Sequence, residues 1–82
     1  MRVTVKLFAR LREIAGSDTL ARDVADGATV SDVWGALAAE FPALRAFDTT
    51  VSGAVNAEYA RMTRAVAEGD EVAFLPPVSG GA

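Results

Sequence analysis

The chain ends Pro76-Pro77-Val78-Ser79-Gly80-Gly81-Ala82, and the one group there able to do chemistry is the terminal carboxylate. Gly80 and Gly81 carry no Cβ to obstruct a narrow channel, and they reach backbone angles that other residues avoid. Pro76 and Pro77 hold the base of the segment extended. A terminus built this way can thread into another protein's active site and present its carboxylate there. The plainer reading of the same residues is a frayed end, as Gly/Ser-rich termini commonly are. The carboxylate also belongs to Ala82 and not to the second glycine.

Little else in the chain could be catalytic. At 82 residues it is one small domain, able to bury only about 60 to 65% of its unfolded surface, which leaves no room for an internal cleft. There is no cysteine and no histidine, which removes disulfides, thiol nucleophiles, histidine-based triads and the usual zinc ligand sets. The eleven Asp and Glu residues are spread singly over turns and solvent faces. The exception is Asp70-Glu71, which reads as the turn before a strand. Catalysis by this chain alone is not expected. The formal net charge is −3, and the eight basic residues are scattered from Arg2 to Arg64, so nucleic-acid binding is not expected. No apolar run reaches the length of a membrane span, and the start lacks a signal-peptide core. The expected location is cytoplasmic, with no membrane contact.

The elements that would position the tail follow from periodicity. Val3, Val5 and Leu7 alternate with Arg2, Thr4 and Lys6, the period of a half-buried strand over residues 2–8. Arg10 to Ala15 suits a short helical turn closed by Gly16. A weaker strand follows from Thr19 to Val24, with Leu20 and Val24 toward the core, and Asp26-Gly27 is a turn. Thr29-Val30-Ser31-Asp32 reads as a capping box opening the main helix. Its apolar stripe is Val30, Val33, Trp34, Leu37, Ala38 and Phe41, and Pro42 ends it. Trp34 belongs to this stripe and reads as core. Residues 43–50 read as irregular. A third strand spans Val51 to Asn56, with Asn56 beginning a turn, and a short strand lies at Tyr59-Ala60. Residues 61–68 show no clean period. Val72-Ala73-Phe74-Leu75 is apolar on both faces, as expected of a central strand. This order predicts an α+β fold, a mixed sheet of four to five strands covered by one main helix. Pairing the first strand with the last gives the β-grasp, or ubiquitin-like, architecture, with a domain over residues 1–75 and an extended tail over 76–82.

With these elements in place the sequence resembles the small subunit of molybdopterin synthase, the MoaD family of sulfur carriers. The resemblance lies in Phe8-Ala9-Arg10-Leu11-Arg12-Glu13, in Ala28-Thr29-Val30, in Ala54-Val55-Asn56 and, above all, in the block from Glu68 through Pro76-Pro77 to Gly80-Gly81. It implies that a MoeB-type adenylyltransferase, resembling the ubiquitin-activating enzymes, uses ATP to join AMP to the terminal glycine carboxylate. A sulfur donor then converts the acyl-adenylate to a thiocarboxylate. The tail next enters a MoaE-type large subunit, in a heterotetramer, and sulfur passes to precursor Z, cyclic pyranopterin monophosphate. No cofactor would be bound by the chain itself, and the catalytic side chains would lie on the partners.

By the same resemblance the reactive residue is Gly81, the inserted segment is Pro76, Pro77, Val78, Ser79 and Gly80, and the partner-facing surface includes Phe8, Tyr59 and Leu75 with Arg12 at its edge. Phe8 falls on the parity opposite Val3, Val5 and Leu7, which favours an exposed interface position. Leu75 reads equally as a buried strand residue, Tyr59 as a cap on the core edge, and Arg12 as a solvated helix position. Ala82 departs from the family pattern, displacing the carboxylate by about 3.3 to 3.6 Å if extended. Trimming in the cell, a tolerant partner, or a residue foreign to the natural chain would each account for it. Two other functions stay open: sulfur carriage for thiamine or cysteine synthesis, and a ubiquitin-like binding module or modifier without sulfur chemistry.

Overall fold

The computed structural model describes residues 1–77. Strand β1 (Arg2–Leu7) follows the alternation of its sequence, with Val3, Val5 and Leu7 essentially inaccessible. The chain then turns at Ala9, whose φ of 51° lies in the left-handed region, into helix α1 (Ala9–Ala15). Gly16, at φ 77°, closes this helix by donating its N–H to the Arg12 carbonyl, the conformation for which glycine has no Cβ penalty. Strand β2 (Thr19–Asp23) pairs antiparallel with β1. Helix α2 (Val30–Glu40) buries Val30, Val33, Trp34, Leu37 and Ala38, five of the six stripe positions; Phe41 is half-buried at its end.

The N-terminus of α2 shows how a run without periodicity can still be ordered. The Thr29 N–H donates to the Asp32 carboxylate and the Asp32 N–H to Thr29 Oγ1, completing the capping box. The two intervening amides find partners far along the chain, Val30 on the Arg64 carbonyl at 2.9 Å and Ser31 on the Met62 carbonyl at 2.8 Å. Every donor of the first turn is therefore satisfied, and residues 61–66 are held across the helix start, with Val66 buried. Residues 43–50, expected to be irregular, contain most of a 3-10 segment (Pro42–Phe47) that buries Leu44. Proline at its first position has φ preset and no N–H to lose. Trp34 Nε1–H donates to Asp48 just beyond it at 2.8 Å, so the indole packs as core while its polar atom remains bonded.

Strands β3 (Ser52–Val55) and β4 (Glu58–Ala60) form a hairpin whose two-residue turn, Asn56-Ala57, has φ of 51° and 71°, as the right-handed strand twist requires. Strand β5 (Glu71–Leu75) pairs parallel with β1 and antiparallel with β3, giving a mixed five-stranded sheet in the order β2-β1-β5-β3-β4. The last strand is thus central, as its sequence predicts. Val72 and Phe74 share the inner face with Val5 and Leu7, and the Phe74 ring lies 5.1 Å from Trp34. Among the described residues no helix is long and apolar enough to cross a membrane.

A polar clasp fixes the start of β5. One oxygen of Asp70 accepts the Ala67 N–H at 2.8 Å and the other accepts from the Asn56 amide at 3.0 Å, while Asn56 Oδ1 accepts the Glu71 N–H. The backbone bond from Ala67, and then the one from Asn56, hold the Asp70 carboxyl below its ordinary pKa. Its contribution to stability is therefore complete above the unfolded value, near about 3.9, and is lost as pH falls through the lower folded value.

Three variants test these points by thermal or urea unfolding. An added Cβ at Gly53 would lie 2.9 Å from Val30 Cγ1, so Gly53→Ala should destabilise by about 1 to 3 kcal/mol. Ala57→Gly removes a left-handed alanine and should stabilise by about 1 kcal/mol. Asp70→Asn should lower stability at neutral pH by about 1 kcal/mol and flatten the loss of stability on acidification below about pH 4. An acid limb as steep as that of the unmodified chain would show that Asp70 does not contribute to it.

Candidate functional site

The inner face of the sheet is occupied by the helix and core; the outer face is open. Residues directly opposed on paired strands share a face, so the register defines rows across it. One complete row runs Thr19, Lys6, Ala73, Ala54, Tyr59, through all five strands. The next row toward the tail pairs Leu75 with Ser52. Phe8 extends that row on β1, since Leu7 opposes Phe74 and the next position on each strand is Phe8 and Leu75. Phe8 keeps extended angles, φ −121° and ψ 152°, before the chain turns away. The parity of β1 therefore carries through to Phe8 and leaves its ring outside.

Phe8, Leu75 and Tyr59 accordingly lie on one face. Phe8 is 47% exposed and Tyr59 80% exposed, the large hydrophobics left open among the described residues; Leu75 is half-buried. Phe8 and Leu75 are on neighbouring strands. Tyr59 stands one row back on the far edge, about 14 Å from the β1 position of its row by strand spacing. Between them Ala73 and Ala54 form the floor. Both point outward and neither joins the main core cluster, yet they are only 8% and 7% exposed because larger neighbours shield them. The result is a shallow apolar trough between Lys6 and Tyr59, bordered on one long side by Phe8 and Leu75. Sequence periodicity does not reveal this floor, since two alanines in different strands become neighbours only through pairing.

The remaining positions divide clearly. Arg12 is exposed on α1 and makes no ion pair among the described residues, whereas its neighbour Arg10 bonds Glu13 at 3.0 Å. Arg61, beyond Tyr59, lines an open groove of about 430 Å³ with Val51, Ser52 and Met62. Lys6, unremarked in the sequence beyond its place in the strand alternation, stands within the complete row. Pro76 is half-buried and Pro77 exposed, continuing directly from β5. Val78, Ser79, Gly80, Gly81 and Ala82 lie outside the described residues. The geometry up to Pro77 thus combines a rigid base for the tail, paired on both sides as far as Phe74 and on the β3 side as far as Leu75, with an open apolar face beside the point of departure.

The ThiS family matches residues 5–81 of the chain. The molybdopterin synthase sulfur carrier subunit of Chlamydomonas reinhardtii is 40% identical over 99% of this chain and all of its own length. Small archaeal modifier protein 1 of Haloferax volcanii is 44% identical over 93% of this chain and 97% of its own; its crystal structure superposes with a TM-score of 0.85, covering 99% and 100% of the two chains. A putative molybdopterin converting factor subunit 1 from Pyrococcus furiosus superposes at 0.84 with 30% identity, over 95% and 99%. The full-length match and the shared ubiquitin-like sheet agree with the MoaD resemblance of the sequence, and the chain belongs to the ThiS family, as a β-grasp protein of the MoaD type.

Proposed function

We propose that the chain is a sulfur carrier whose C-terminal glycine, Gly81, is adenylated and then thiocarboxylated, and which donates that sulfur to cyclic pyranopterin monophosphate as the small subunit of a molybdopterin synthase. The observation that carries this reading is the departure of the Pro76-Pro77 tail from the central strand, beside an open apolar face, in a chain of this family. In the first step the carboxylate attacks the α-phosphorus of ATP, forming acyl-AMP and releasing pyrophosphate. Sulfide, delivered by a donor, then displaces AMP and leaves a thiocarboxylate. The activating enzyme, of the MoeB type, holds the ATP, and this chain binds no cofactor. The absence of Cys and His is consistent with sulfur held on the backbone terminus. In this reading a peptidase first hydrolyses the Gly81–Ala82 bond where residue 82 belongs to the natural chain, because one extra residue displaces the reacting carbon by more than a near-attack geometry tolerates.

The face beside the tail is the docking surface for a MoaE-type large subunit in this reading, with Phe8 and Leu75 near its centre and Tyr59 and Arg12 at its margins. The large subunit supplies the catalytic side chains. A second reading, protein modification through an isopeptide bond, is favoured by one observation: the relative at 44% identity is named a modifier protein.

Intact mass measurement of the chain trimmed to Gly81, after incubation with ATP, a MoeB-type enzyme and a sulfur donor, should show replacement of one terminal oxygen by sulfur. A chain ending at Gly81 that is never adenylated would sink the carrier reading, and linkage to lysines without any thiocarboxylate would select the modifier. Phe8→Ala should leave the melting temperature nearly unchanged, since the ring is half exposed, and weaken binding to a MoaE-type subunit by about 2 kcal/mol. Unfolding of this variant would instead assign the ring to the core.

A further inference from the structure

Lys6 is the chain's single lysine, and the register sets it between Thr19 and Ala73 in the row that crosses the open face. It is half-buried. Among the described residues no carboxylate lies within ion-pair distance of it, although Arg2, Arg10, Arg22 and Arg45 each have such a partner. The other members of its row and the next, Thr19, Ala73, Ala54, Tyr59, Phe8, Leu75 and Ser52, carry no charge. Glu71, opposite Thr4 one row back, is the adjoining carboxylate on this face by register, and no ion pair joins it to Lys6; toward the tail the lysine meets only neutral, largely apolar residues, on a chain of net charge −3.

Position makes this charge consequential. Lys6 precedes Phe8 by two residues on the same face of β1, and Ala73, directly opposite it, precedes Leu75 by two on β5. A surface that closes over Phe8 and Leu75 must also close over the Lys6 stem and strip water from its ammonium. The desolvation penalty of burying an unpaired ammonium is comparable to the whole gain from fully burying two large apolar side chains. Apolar docking alone would be largely cancelled.

We propose that Lys6 is the specificity-determining charge of this face, and that the protein docking here is apolar opposite Phe8 and Leu75 and presents a carboxylate opposite Lys6. The proposal rests on the reading of this face as the docking surface for the tail-accepting subunit. It adds the sign of the partner's charge and the residue that reads it. An acidic partner residue also speeds encounter, because opposite charges attract over the Debye length.

The test measures association and dissociation of the full chain with the large subunit from the same organism, using Lys6→Met, Lys6→Glu and Phe8→Ala, with thermal melts confirming that each variant is folded. Lys6→Met should weaken binding about tenfold by stranding the partner's carboxylate, and Lys6→Glu by about 100-fold or more. The salt dependence of the association rate should be smaller in Lys6→Met than in the unmodified chain. If Lys6→Met binds as tightly as the unmodified chain, or more tightly, while Phe8→Ala still weakens binding, the lysine merely extends to solvent; the proposal is overturned and the docking face stands. If neither Phe8→Ala nor Lys6→Glu changes affinity, the docking face itself is wrong and the proposal falls with it.

Discussion

The insertion of β5 between β1 and β3 is the constraint on which the other features depend. The last strand in sequence is the middle strand in space, parallel to the first and antiparallel to the third. Its inner residues, Val72 and Phe74, complete the core against Trp34. Its outer residues, Ala73 and Leu75, form part of the open face. Its end carries the proline pair. Core, face and tail are therefore coupled through five residues, and displacing β5 by one position would exchange the inner and outer sets.

That coupling explains why so small a chain can direct a tail. A terminal segment leaving an edge strand could sweep a wide range of directions. Here the ladder holds the backbone on both sides through Phe74 and on the β3 side through Leu75, and the Asp70–Asn56 clasp fixes where the strand begins. The clasp is polar and lies at the sheet end, where it joins the turn before β5 to the β3–β4 hairpin. Hydrogen bonds of this kind contribute about 1 kcal/mol each, less than the core. Their effect is to set register, and register decides which side chains reach the outer face.

The outer face contrasts with the inner one in how apolar surface is used. Inside, branched and aromatic side chains fill space between sheet and helix, and Gly53 is required because Val30 occupies the place of a Cβ. Outside, the central positions are alanines, low enough to leave a trough, with Phe8 and Tyr59 standing at its borders. An exposed phenylalanine contributes little to folding and would be disfavoured as a free surface. Its placement by an extended residue immediately before the left-handed Ala9 makes its display a consequence of the backbone turn.

Much of this was legible in the residues taken singly or in local pattern. The alternation of β1, the capping box at Thr29, the stripe through Trp34, the glycine closing α1 and the two-sided apolarity of β5 are local signals, because period and capping depend on neighbours within a few positions. The parity of Phe8 was legible for the same reason. The ordering of residues 61–66 was not, since their partners are the amides of a helix start some thirty residues earlier. Nor was the 3-10 segment around Leu44, which depends on the space left beside α2. The sequence by itself determined the elements, the exclusion of histidine and thiol chemistry, and the composition of the tail. Only the tertiary structure decided that Lys6, Ala73, Ala54 and Tyr59 form one row beside Phe8 and Leu75, because a cross-strand row joins residues dozens of positions apart through hydrogen-bond register, which no local pattern encodes.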